Sequence, residues 1–170
     1  MSSFHFILLW VALPLGAAVG SFAVALDSRW SPDADWRLIL SRPSQCDSCG
    51  KRISWFENVP IVSWLLLGGR TRCCGARIGA RDLLGELAGA AVLVALSSTL
   101  REPSTYLAWS TIALAVLTLA SAVASGLALA LIDARTRFLP NSLVLTLGLS
   151  GLVFVCMDAL LNNYAAGLLV

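Results

Sequence analysis

The sequence predicts an all-α polytopic membrane protein. About four transmembrane helices and the start of a fifth are expected, with a small cysteine-containing loop domain between the first two. Three observations predict this. Of the 170 residues, 58% are hydrophobic and 13% charged, where a soluble domain carries about a quarter charged residues. Mean hydropathy is +0.80. The apolar residues gather in long runs, and most of the charge falls between them. This pattern excludes a water-soluble globule, a disordered chain and a basic nucleic-acid-binding domain of the usual kind, so no nucleic-acid partner is expected.

The four runs are residues 4–26, 83–100, 106–132 and 142–157. Only Glu86 interrupts the second, and the fourth extends to Leu161 past Asp158. A bilayer core about 30 Å thick takes about 20 apolar residues as helix. Inside it the backbone must satisfy its own hydrogen bonds, so helices are the expected form. The apolar residues 164–170 read as the first turns of a fifth span. A cleaved signal peptide, with its site at Ala18-Val19-Gly20, is the alternative for the first run. No Lys or Arg precedes that run, however, and the run is long. Three segments follow: residues 1–26 as helix 1, 27–82 as the loop domain, and 83–170 as helices 2–4 with the start of helix 5.

The basic residues set the orientation. Residues 27–82 hold nine of them and six acids. Arg135 and Arg137 lie between the third and fourth spans, and Arg101 stands alone on the other side. The positive-inside rule puts both basic loops in the cytoplasm and the N-terminus outside. The bilayer is thus a partner, and residues 27–82 can rest on its anionic inner leaflet.

Prolines and glycines punctuate residues 27–82, which leaves a small domain in need of a staple. Cys46-Asp47-Ser48-Cys49 and Cys73-Cys74 offer one. A C-x2-C hairpin presents two thiolates to a tetrahedral zinc, and a second pair completes the site. A reducing cytoplasm favours a metal over a disulfide. Adjacent cysteines share one metal only if the turn bends both side chains the same way. The alternative is a degenerate site of loose thiols without metal. Cys156, in the fourth span, reads as a packing residue.

Asp133 closes the third apolar run, and Pro140 and Asn141 mark the start of the fourth helix. It reads either as an acid or base acting on a membrane-bound substrate, or as a boundary anion paired with Arg135 or Arg137. Glu86 reads as a structural acid in the first turn of the second span, at the positive end of the helix dipole. Asp158 reads as a span terminator.

Gly20-Ser21-Phe22 leading to Arg29 resembles the first-span signature of bacterial type IV prepilin peptidases. So do Cys46-x2-Cys49, Glu57-Asn58-Val59-Pro60, Ser63-Trp64-Leu65, Gly69-Arg70, Arg81 and Glu86. Asp133 followed by Pro140 matches the family's D-x6-P segment. The resemblance covers residues 20–149. It implies a multi-pass inner-membrane aspartic protease that cuts the basic leader from prepilins and type II secretion pseudopilins. Many members then N-methylate the new N-terminus with S-adenosylmethionine. By the resemblance, Asp133 is the first catalytic aspartate, and four cysteines bind zinc. Thr71 occupies the family's third cysteine slot and Cys74 the fourth, with Cys73 as a shifted ligand. Asp82-Leu83 stand for the usual Tyr-Pro, and Val24 for a common Asn.

The family's second aspartate lies in a G-x-G-D motif that occurs nowhere between Met1 and Val170. Aspartyl proteolysis needs two carboxyls around one water, one ionised and one protonated. Asp158 would lie about 37 Å from Asp133 along a helix, on the opposite face. The expectation is therefore an incomplete N-terminal portion of a prepilin peptidase, with a prepilin or pseudopilin as substrate and inactive alone. A missing C-terminal half, or a homodimer partner bringing a second Asp133, would complete the pair. The rival reading is an inactive membrane remnant or scaffold.

Overall fold

The computed structural model describes residues 3–33, 35–59, 61–100, 102 and 106–167. Pro60 and Arg101, both used above, lie outside them. Helix α1 (Ser3–Arg29) leads into short α2 (Trp36–Ser41), a 3-10 turn (Trp55–Asn58) and short α3 (Val62–Leu66). Three long helices follow: α4 (Ala80–Ser97), α5 (Tyr106–Thr136) and α6 (Asn141–Gly167). No strand occurs among the described residues. Two isolated bridges, Gln45 to Arg52 and Arg70 to Arg77, are the only β-type pairings there.

Three helices are long and apolar enough to cross a membrane, namely α1, α5 and α6. Helix α4 has 18 residues and carries Arg81, Asp82 and Glu86 in its first two turns. It packs closely along α1. A Cβ on Gly16 would sit 2.6 Å from the Gly89 carbonyl oxygen, and one on Gly20 would run into the Gly85 carbonyl. Small residues four apart on both helices let the backbones meet, the geometry that drives association where lipid removes the hydrophobic force.

Several boundaries differ from expectation. Residues 164–167 continue α6 rather than opening a fifth helix, and Asp158 lies inside α6 rather than ending it. One aspartate costs little helix propensity, and the Ala-Leu-Leu that follows supports continuation. Because α4 starts at Ala80, Asp82 occupies its first turn and Glu86 its second. Cys156 is exposed on α6 and does not pack in the core.

The core has two parts. Phe4, Leu8 and Ala12 of α1 meet Leu93 of α4 and Ile112, Val116 and Leu119 of α5 at one end. At the other end, beside the 27–82 insert, Ala23, Leu26 and Trp30 meet Ile39 of α2, Ala128 and Ile132 of α5, and Leu143 of α6. The insert is thus seated against the ends of the spans.

Candidate metal centre and membrane-face aspartates

Two tight turns build the sulfur cluster. In the first, Cys46 N–H donates to the Lys51 carbonyl (2.9 Å) and Gly50 N–H to the Cys46 carbonyl (2.8 Å). In the second, Thr71 N–H donates to the Ala76 carbonyl (2.8 Å) and Gly75 N–H to the Thr71 carbonyl (2.9 Å). The flanking bridges correspond as well, so the turns share one backbone plan. Thr71 sits where Cys46 sits, Cys74 matches Cys49, and Cys73 matches Ser48.

All four sulfurs lie within 4.8 Å of one another. Cys46 and Cys74 are 3.7 Å apart, Cys49 and Cys73 3.3 Å, and Cys73 and Cys74 3.9 Å. A tetrahedral zinc with Zn–S bonds of about 2.3 Å separates its sulfurs by about 3.8 Å. The turn therefore bends adjacent Cys73 and Cys74 toward one point, and the cluster can hold a metal ion.

The thiol acidities match that geometry. Cys46 is lowered to about 6, chiefly by the backbone N–H groups of Cys49 and Ser48. Cys74 is lowered by the Thr71 hydroxyl and the Ala76 backbone N–H. At Cys49 the Lys51 N–H favours the thiolate. The Cys73 thiol, desolvation and the remaining thiols outweigh it and push Cys49 up to about 12. Sulfurs this close cannot all ionise unless a cation joins them.

At the same end of the helices lies a second polar centre. Asp27 is fully buried yet forms ion pairs with Arg81 of α4 and Arg135 of α5. Arg135 reaches Asp27 Oδ1 through Nε at 3.2 Å. Its Nη2 also donates to the carbonyls of Asp27 (2.6 Å) and Trp30 (3.2 Å), closing the C-terminal end of α1. Trp30 stacks on Phe138 with ring centroids 5.4 Å apart. Three helices are thus tied at one point.

Asp133 stands beside that tie on the last turn of α5. Its neighbour Ile132 is fully buried, while Asp133 itself is exposed. Among the described residues its carboxylate makes no hydrogen bond or ion pair. The pairing with Arg135 or Arg137 considered from sequence does not form. Arg135 is engaged by Asp27, and Arg137 leaves the helix with φ 55°. Glu86 is occupied too, since its Oε2 accepts the backbone N–H of Ile61 and holds the insert to α4.

Sequence reasoning singled out the cysteines and Asp133 but passed over Asp27. A signal existed. Residues 16, 20, 23 and 27 share one face of a helix, and the first three are the small residues that face α4 and the core.

The bacterial peptidase A24 N-terminal domain matches residues 15–100. The chain belongs to the bacterial prepilin peptidase family. A prepilin leader peptidase/N-methyltransferase of Klebsiella pneumoniae is 40% identical over 111 residues, covering 65% of this chain and 44% of that protein. One from Dickeya chrysanthemi is 30% identical and covers 92% of this chain and 59% of its own length. One from Burkholderia pseudomallei (strain 1026b) is 37% identical, with 83% and 50% covered. The chain thus spans about half the length of the relatives it matches. No solved structure matches it.

Proposed function

We propose that this member of the prepilin peptidase family takes part in cleaving the leader from prepilins or pseudopilins, with Asp133 as one carboxyl of an aspartyl pair. The supporting observation is that Arg135, the nearest cation in sequence, is drawn off by Asp27, which leaves Asp133 exposed at the membrane face and without an ion-pair partner among the described residues. A carboxyl clamped by arginine could not alternate between acid and base. One that is open to water and substrate can do so. The second carboxyl comes from outside this portion, from further spans or from a second copy. The insert and Asp133 face the cytoplasm in this reading, by the positive-inside rule, and the protein resides in the inner membrane.

Cys46, Cys49, Cys73 and Cys74 hold a structural zinc in the same reading. Bound there, zinc supplies folding energy to a segment with almost no regular structure of its own. The relatives' names also carry N-methyltransferase activity, for which S-adenosylmethionine is the proposed methyl donor.

Prepilin cleavage, read by mass, tests the proposal in membranes that also contain the unmatched half of the Klebsiella pneumoniae relative. Cleavage is expected, and so is its loss with Asp133→Asn. An uncut prepilin, with the two halves co-purifying, would remove the peptidase reading. Metal analysis of the wild-type chain against Cys46→Ala tests zinc, and absence of metal from the wild type overturns it.

A further inference from the structure

The insert carries apolar surface that the bundle does not cover. Helix α2 reads Trp36-Arg37-Leu38-Ile39-Leu40-Ser41. At about 100° per residue, Trp36, Leu38 and Leu40 fall within about 100° of Ile39, while Arg37 and Ser41 lie about 160° away. Ile39 is buried in the cluster with Ala23 and Leu26 of α1 and Ala128 and Ile132 of α5. That places α2 at the level where the apolar runs of α1 and α5 end. Leu38 and Leu40, on either side of Ile39, are nevertheless 68% and 59% exposed.

Helix α3 repeats the arrangement. Val62, Leu65 and Leu66 share an arc of about 100° and are 50%, 65% and 80% exposed. Trp64, on the other side, packs toward Gly69. The residue that opens α3, Ile61, is held by Glu86 in the second turn of α4. Glu86 lies beyond Leu83, where the apolar run of α4 begins. Both short helices are thus tied at the depth where the long helices enter lipid, and both turn leucines away from the protein.

We propose that α2 and α3 are in-plane anchors seated in the headgroup–acyl boundary of the membrane face that carries the insert, with Leu38, Leu40, Leu65 and Leu66 in contact with lipid. Continuity with the spans carries the proposal, because the leucines extend the same apolar surface sideways. Charge complementarity supports it. The insert as a whole has nine basic against six acidic residues, as suits anionic lipid, while at α2 itself exposed Asp33 and Asp35 balance Arg37 and Arg42. The anchors fix the height of the sulfur cluster above the bilayer. They do not depend on which reaction the protein performs.

The whole chain is reconstituted in vesicles of phosphatidylethanolamine and phosphatidylglycerol, with a fluorescent amino acid at position 38, 66 or, as control, 48. Ser48 is exposed on the first cysteine turn. Lipids spin-labelled near the glycerol end of the acyl chain are expected to quench positions 38 and 66 about threefold more than position 48, with aqueous iodide showing the reverse order. Iodide quenching at 38 and 66 as strong as at 48, without lipid quenching, overturns the proposal and points to a protein partner instead. Because the readout is optical, a failure of prepilin cleavage leaves it unaffected.

Discussion

Asp27 and Asp133 stand at the same end of the helix bundle, on α1 and α5, in opposite conditions. Asp27 has no exposed surface and two arginine partners drawn from two other helices. Asp133 is exposed and has no ion-pair partner among the described residues. The difference teaches how one structure separates an architectural carboxylate from an available one. Charge at the membrane face is neutralised where three helices must be joined. It is left unneutralised at Asp133, two residues before Arg135 on α5.

Replacing Asp133 with Asn tests the available side and carries the largest expected effect. On the proposed function, cleavage in the complemented membranes falls on the order of 10⁴-fold. Stability changes by less than about 0.5 kcal/mol, because no contact of the carboxylate is lost. Cleavage rate and thermal unfolding in detergent measure the two. Retained cleavage excludes Asp133 from the pair, and a large loss of stability breaks the contrast with Asp27.

The architectural side predicts an asymmetry. Removing Arg81 and Arg135 together, each to Ala, leaves Asp27 buried without a counter-charge, at a cost of about 3 kcal/mol or more. Changing Asp27 to Asn costs less, about 1–2 kcal/mol. The two arginine side chains are 49% and 44% exposed and can return to water. Chemical unfolding followed by tryptophan fluorescence ranks the two variants. Adding Asp27→Leu to the double-arginine variant should recover part of the loss, and no recovery would place the cost elsewhere.

Much of this division was legible in the sequence, and the reasons for the rest are physical. Apolar runs report helix and bilayer directly, which is why α1, α5 and α6 appear nearly where expected. Charge at the end of a run marks Asp133 and Asp27 alike, but sequence does not say which arginine pairs with which acid. Arg135 lies two residues from Asp133, on the opposite side of the helix, and finds Asp27 more than a hundred residues back. The glycines of α1 and α4 were visible singly, yet their closeness depends on two helices meeting. For Thr71, the sequence showed a cysteine slot filled by a hydroxyl. Only the fold shows Cys73 turning inward to bring a fourth sulfur to the cluster.

The sulfur cluster extends the comparison. The chain itself supplies the counter-charges of Asp27, whereas in the proposed reading an imported metal balances the cysteines. Cys73→Ser should then weaken zinc binding by at least about tenfold, and Thr71→Cys in that background should restore it, since position 71 has the backbone setting of Cys46. Competition with a chromophoric chelator measures both. Unchanged affinity in Cys73→Ser would show that three sulfurs and Thr71 suffice.

The smallest effect isolates the backbone plan shared by the two turns. Gly50 and Gly75 have φ of 68° and 69°, and a Cβ at either would meet nothing within 4 Å. Substitution by Ala therefore adds only the strain of the left-handed conformation, about 1 kcal/mol at each position. Equal losses of stability for Gly50→Ala and Gly75→Ala are expected in chemical unfolding of the metal-loaded protein. If the turns are equivalent in backbone and differ only in which positions carry sulfur, the two glycines must be interchangeable in cost. A loss confined to one of them would mean that the Thr71 turn is held by something other than the plan it shares with the Cys46 turn.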